Sequence, residues 1–238
     1  MQPYRIWNVV RLGLPIGGAF LLESGAFSFT AIAIGWIGSA EVGGHQIAMT
    51  LASLSFMVPV GISSAAAVRV GYAVGRRDPI GATHAARSAI ALGALVMTAS
   101  MAAFLLFPEQ LAELFLRDSM QRDPEHARAV LLFGAAMVGV AGVFQVVDGI
   151  QVVCVGVLRG LGDTRTPFVV HLLAFWALGI PVGLLLAFET DLGPVGMWWG
   201  LVLGLGFGAT VLVLRCIAGM RRLGASIATL DRHRNPER

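Results

Sequence analysis

Two carboxylates stand apart from the rest of the charge in this 238-residue chain. Of its 14 acidic residues, all but Glu23 and Asp148 fall in polar connecting stretches or tails where water can solvate them. Glu23 lies ten residues into the first long apolar run, about 15 Å deep at the helical rise of 1.5 Å per residue, and Asp148 lies about ten residues before the end of the fourth run. An ionised side chain at that depth costs about 2.5 kcal/mol or more, and neither run carries a basic residue in its interior as a counter-charge. Each acid is therefore expected to be protonated, exposed to water in a cavity, or neutralised by a transient cation, with burial favouring its protonated form. The bland alternative is a protonated acid bonded to a neighbouring helix. Intramembrane acids mark ion and substrate paths more often than that.

Other polar groups cluster around the pair. Gln145, Asp148 and Gln151 are spaced i, i+3, i+6, one stripe of a helix that must face protein or water. The second apolar run carries His45, Gln46, Thr50 and Ser53, then Pro59, which removes a backbone hydrogen bond and frees a carbonyl. Pro181 does the same in the fifth run. Gln46, Ser53, Gln145 and Gln151 are thus candidate cavity-lining residues, and Pro59 and Pro181 candidate hinges. The competing reading is that such glutamines and serines glue helices together and such prolines only kink them. His45 is expected close to the outer interface, solvated there.

The elements that must position these groups are six apolar segments of roughly 20 residues or more, the length a helical span requires: about 13–38, 43–73, 84–107, 128–157, 166–188 and 194–216. Charge or turn residues separate them. Hydrophobic residues make up 56% and charged residues 13%, with a mean hydropathy of +0.77, which excludes a soluble domain at about 25% charge. The fold class is therefore all-α integral membrane, a six-helix bundle. Its organisation is a cytoplasmic amino terminus over 1–12, a membrane domain over 13–216 and a basic cytoplasmic tail over 217–238.

All 17 basic residues are arginine. Only Arg117, Arg122 and Arg128 would face one side, against 14 on the other, so the positive-inside rule makes both termini and the even-numbered loops cytoplasmic. No signal peptide is visible, because Met1 to Arg11 is polar and the apolar run after it is too long for a signal core. The first span is expected to serve as its own insertion signal. The net charge of +3 does not point to nucleic acid, because the arginines form no patch with interleaved aromatics. Cys154 and Cys216 lack metal or redox spacing and read as inert packing residues. The string Gly160-Leu161-Gly162-Asp163 spells the GxGD of intramembrane aspartyl proteases, but that chemistry needs two aspartates sharing a proton inside the membrane. Here Asp163 falls in a basic loop, so a cytoplasmic turn is the reading and no enzymatic activity is expected.

Three stretches then carry a resemblance: LESGAFSFTAIAIGWIG, HQIAMTLASLSFMVPVGISSAAAVRVGYAVGRRDP and FQVVDGIQVVCVGVLRGLGDTRTPF. The chain resembles the carboxyl-terminal half of bacterial multidrug and toxic compound extrusion (MATE) proteins over most of residues 10–215. The resemblance implies one lobe of a twelve-helix exporter in the bacterial inner membrane, an antiporter exchanging small organic cations for protons or sodium. It implies Glu23 and Asp148 as the cation-coupling site, which would also hold sodium were sodium the ion used. Many sodium-linked relatives carry a tyrosine where Phe144 stands, which the resemblance makes a further cavity-lining candidate, and the missing hydroxyl tilts the expectation toward protons. No other cofactor is implied. The family builds its cavity between two six-helix lobes, and an even number of spans lets two such units stand in the same orientation. A second lobe, a homodimer partner or a fragment are the open alternatives, beside a flippase-type exporter of lipid-linked sugars and a non-functional truncated membrane protein.

Overall fold

Hydrocarbon offers no hydrogen-bond partner, so an apolar chain inside it must satisfy every peptide group internally, and it does so as helix. The computed structural model describes residues 3–234, and among these the chain forms helices and no strand. In chain order they are α1 (Pro3–Gly35), α2 (Ser39–Gly75), α3 (Pro79–Leu106), α4 (Pro108–Glu113), α5 (Ser119–Arg122), α6 (Pro124–Gly160), α7 (Arg165–His171), a π-helical segment (Leu172–Gly179), α8 (Ile180–Phe188) and α9 (Pro194–Arg234). Six stretches are long and apolar enough to cross a membrane: Val10–Gly35, Ser39–Gly75, Pro79–Leu106, Pro124–Gly160, Arg165–Phe188 and Pro194–Thr229. They match the six expected spans, and the chain is a multi-pass membrane protein.

Local chemistry sets the turns. Asp78 accepts the Gly81 backbone N–H at 2.8 Å and Asp123 accepts that of His126 at 3.2 Å, each with proline at the first helical position, where a missing N–H costs nothing. Between α6 and α7 the chain reverses at Gly162, whose φ of +81° suits glycine. The GxGD string therefore runs from the last residue of α6 into a turn, and Asp163 serves that turn.

The long α6 is the central post, packed against α2, α3 and α9. Small residues allow the close approaches that membrane helices rely on. At the crossing of α8 and α9, a Cβ on Gly200 would lie 2.3 Å from the Gly183 Cα, so neither backbone could approach its partner with a larger residue there. One core cluster gathers Phe144, Phe175, Trp198 and Leu205. A second gathers Val70, Leu158 and Leu212 with both cysteines, which are free and buried.

The connection after the third span folds as α4 and α5, and Ala112 of α4 and Leu116 of the turn between them are buried against the core. One expectation needs correction. The polar tail expected from 217 continues α9 without a break through Arg234, with Met220 and Leu223 packed on the second cluster. Its arginines are compatible with helix because one face still has apolar surface to cover. The proline-containing end of that tail, with Arg238, lies outside the described residues, as do Met1 and Gln2.

Candidate functional site

Facing stripes on three helices build a cavity of about 210 Å³. α1 contributes Phe20, Glu23, Ser24 and Phe27, α2 contributes Met49, Ala52, Ser53 and Phe56, and α6 contributes Phe144 and Asp148. Counted from Phe20, Met49 and Phe144, the steps within each helix are three, four or seven, the period that puts side chains on one face. Glu23 lies near the middle of the Val10–Gly35 span, and the two acids sit close enough to interact electrostatically. A neighbouring cavity of about 480 Å³ shares Phe27, Met49 and Ser53 and adds His45, Gln46 and Thr50. The two adjoin as a groove whose walls are mainly aromatic and aliphatic.

Aromatic rings hold the floor of this groove. Phe27 meets Phe144 edge-on at 5.8 Å and Phe175 at 5.9 Å, and Phe144 meets Trp198 at 5.6 Å. Edge-to-face pairs at these separations contribute about 0.5–1.5 kcal/mol each beyond burial. The ring faces left toward the cavity carry the negative quadrupole that attracts cations.

Behind Glu23 lies a second polar layer. His171 Nε2 is 3.8 Å from Glu23 Oε2, with side chains 6% and 16% exposed. His171 Nδ1 lies 2.7 Å from the Pro167 carbonyl and Nε2 lies 3.3 Å from the Gln151 amide nitrogen. From α6 the Arg159 guanidinium stacks over the Phe20 ring at 5.4 Å, within electrostatic range of Glu23. The π-helical segment follows His171 directly, and its Trp176 donates an indole N–H to the Leu22 carbonyl at 3.0 Å. The fifth span thus meets α1 at both Leu22 and Glu23.

The expectation that neither span holds a basic residue in its interior leaves out what other elements bring to Glu23. Glu23 has two basic groups nearby, and both come from outside its own span: an imidazole on α7 and a guanidinium near the end of α6. The expectation that His45 is solvated near the outer interface needs correction. The residue is 2% exposed and packs on Trp198 with ring centroids 5.7 Å apart, because the close fit of Gly44 against the Gly134 backbone turns the next residue of α2 inward instead of toward water.

The predicted lining residues divide. Ser53 and Phe144 line the cavity with both acids, and Gln46 lines its neighbour. Gln145 instead turns away, its amide oxygen accepting the hydroxyls of Ser55 and, at 2.8 Å, Ser100. Gln151 turns to His171. Three-residue steps rotate by about 60° on a helix of 3.6 residues per turn, so the two glutamines diverge about 120° and flank Asp148 on opposite sides. Pro59 sits within an unbroken α2, and Pro181 opens α8 just after the π-helical segment. Phe20, Ser24, Phe27, Met49 and Phe56 were not singled out from sequence, although a heptad-like walk of three and four residues from Glu23 and Ser53 reaches them all. His171 carries no such signal.

The MatE family model matches residues 15–185. The chain is 41% identical over 208 residues to the multidrug resistance protein NorM of Burkholderia vietnamiensis, covering 87% of this chain and 44% of that one. Solved structures share the fold at low identity. A MATE in the bent conformation aligns with a TM-score of 0.84 and 20% identity over 96% of this chain and 48% of its own. The eukaryotic MATE transporter AtDTX14 aligns with a TM-score of 0.79 and 22% identity over 92% of this chain and 49% of its own. The chain spans about half the length of the curated relatives it matches.

Proposed function

Because the chain belongs to the MATE family, we propose that its groove is the cation-exchange site of a multidrug antiporter, taking lipophilic organic cations outward as protons move inward. The observation that carries the reading is the pairing of Glu23 and Asp148 in one aromatic-walled cavity at membrane depth. Negative charge attracts a cation there, and the rings of Phe20, Phe27, Phe56 and Phe144 supply apolar surface and quadrupole without demanding one substrate shape. A proton reaching the acids from outside neutralises them, lowers their affinity for the organic cation and releases it. The two fluxes are coupled because both compete for the same negative charge.

Protons fit this donor set better than sodium. The cavity offers the oxygens of two carboxylates and two serines, Phe144 supplies none, and an imidazole backs Glu23. The proposed orientation puts both termini in the cytoplasm, following the arginine distribution. The relatives' length supports a second six-helix unit, either another lobe or a second copy of this chain, to close the groove.

The test is ethidium efflux in membrane vesicles energised by a proton gradient. Glu23→Gln and Asp148→Asn are each expected to abolish it while the protein still inserts. Wild-type rates in both variants, or efflux that answers only to a sodium gradient, contradict the proposal.

A further inference from the structure

The imidazole behind Glu23 is arranged for more than packing. A carbonyl oxygen only accepts, so the 2.7 Å contact with Pro167 fixes the His171 proton on Nδ1 and leaves Nε2 as the nitrogen that gains or loses charge. Nε2 faces two groups, Glu23 Oε2 at 3.8 Å and the Gln151 amide nitrogen at 3.3 Å. With His171 neutral, the Gln151 amide donates to Nε2, and its own oxygen is left buried without a partner. An unpaired buried oxygen weighs against the neutral state. A half-turn of the same amide presents the oxygen to a protonated Nε2–H instead. Gln151 therefore has a hydrogen bond for His171 in both charge states, and the charged state also satisfies the oxygen that the neutral state leaves unpaired.

Resting on the reading of the groove as a cation-exchange site, we propose that His171 is the proton-carrying partner of Glu23. A proton on Nε2 makes an ion pair that occupies the carboxylate, and loss of that proton frees the carboxylate for an organic cation. The proton arrives from hydronium in the groove, forming an N–H bond on Nε2 and leaving water. It departs to water when the organic cation takes its place, so charge at Glu23 is balanced in either state. Residues from each neighbouring element bear on this balance. From α1 comes Glu23 itself. From α6 come Arg159, which opposes the positive charge on His171, and Asp148, one turn before Gln151. α9 faces the Gln151 oxygen with Gly208, and its first charged residue, Arg215, is engaged by Asp163. α7 itself carries only Arg165, at its start. The distance of 3.8 Å exceeds a hydrogen bond but lies within ion-pair range, so a small approach of α7 to α1 closes the pair.

Histidine-labelled protein in lipid nanodiscs tests this by ¹⁵N resonance, with the full chain and no transport requirement. The chain has five histidines, and His171→Gln identifies the signal in question. Its Nε2 is expected to change protonation within about pH 4–8, where free carboxyl and imidazole groups titrate, while Nδ1 stays protonated throughout. The midpoint should move by about one pH unit in Glu23→Gln, the effect of removing a charge at this range. Tetraphenylphosphonium added at fixed pH should drive the signal to the neutral form. An Nε2 that keeps one state across the range, or a midpoint unmoved in Glu23→Gln, overturns the inference. If both signatures appear but tetraphenylphosphonium leaves the signal unchanged, the His171–Glu23 pair stands as a proton site and the exchange reading of the groove fails.

Discussion

Asp163 fastens the turn that sets the fifth span. Its Oδ1 accepts the Thr166 backbone N–H at 3.1 Å, and its Oδ2 accepts the Thr166 hydroxyl at 2.8 Å and the Arg215 Nε–H at 2.8 Å. One carboxylate thus ties the start of α7 to itself and to α9. Burial alone would raise the Asp163 carboxyl, but the Thr166 and Arg215 contacts outweigh it and hold the group below its usual range. Asp163→Asn keeps the shape and one amide acceptor while removing the charge. Hydrogen bonds to an ionised group contribute about 1.5–3 kcal/mol each, but Arg215 is 38% exposed, and solvent screening reduces that pair to about 1 kcal/mol or less. The expected loss is therefore about 1–2 kcal/mol overall, or about 2–8 °C in melting temperature at about 2–4 °C per kcal/mol for a chain of this size. The sign with pH follows from the depressed value. The contribution is fully present above the unfolded carboxyl value of about 3.9 and is lost only as pH falls through the lower folded value. Thermal unfolding followed by size-exclusion fluorescence should show the wild-type/variant gap constant between about pH 5 and 8. A variant as stable as wild type, or a gap that closes within that range, refutes the reasoning.

Three other outcomes follow from the same geometry. Phe27→Ala removes a ring shared by both cavities and should weaken tetraphenylphosphonium binding by about 0.5–2 kcal/mol, roughly 2- to 30-fold by isothermal titration, while Phe27→Tyr stays near wild type. Gly200→Leu forces side chain into the Gly183 backbone and should abolish folded protein on size-exclusion chromatography, whereas Gly206→Leu, which has open space at its Cβ, should be tolerated; folded Gly200→Leu would count against the tight α8–α9 crossing. Cysteine pairs placed on the outward faces of α1 and α2 should cross-link to a second six-helix unit in native membranes, and a chain that stays monomeric at every position would leave the groove open to lipid.

The membrane architecture was legible because hydrocarbon imposes one solution on an apolar chain, and six runs of sufficient length leave little choice of topology. Glu23 and Asp148 were legible for the same reason, since charge at that depth needs an account wherever it occurs. The residues that complete the site were not. His171 lies 148 residues from Glu23 in sequence, on a span whose run LLAFWALG gives no sign that it leaves α-helical geometry for π. Only the folded arrangement brings its imidazole to α1. His45 was misjudged because depth was read along its own helix, whereas its environment is set by Trp198 on α9. The Gln145–Gln151 stripe was visible as a period, but a period does not say that neighbouring helices claim its two edges separately. The tail beyond 217 reads as polar because its arginines dominate, although it continues α9 and packs Met220 and Leu223 on the second cluster.

The most direct measurement is the affinity of purified protein in nanodiscs for tetraphenylphosphonium as a function of pH, in wild type, Glu23→Gln and Asp148→Asn. Competition for shared negative charge predicts that wild-type binding weakens as pH falls, up to about tenfold per pH unit for each proton displaced, and that each variant binds weakly with a flattened pH response. Wild-type binding independent of pH, or undiminished binding in both variants, would contradict it.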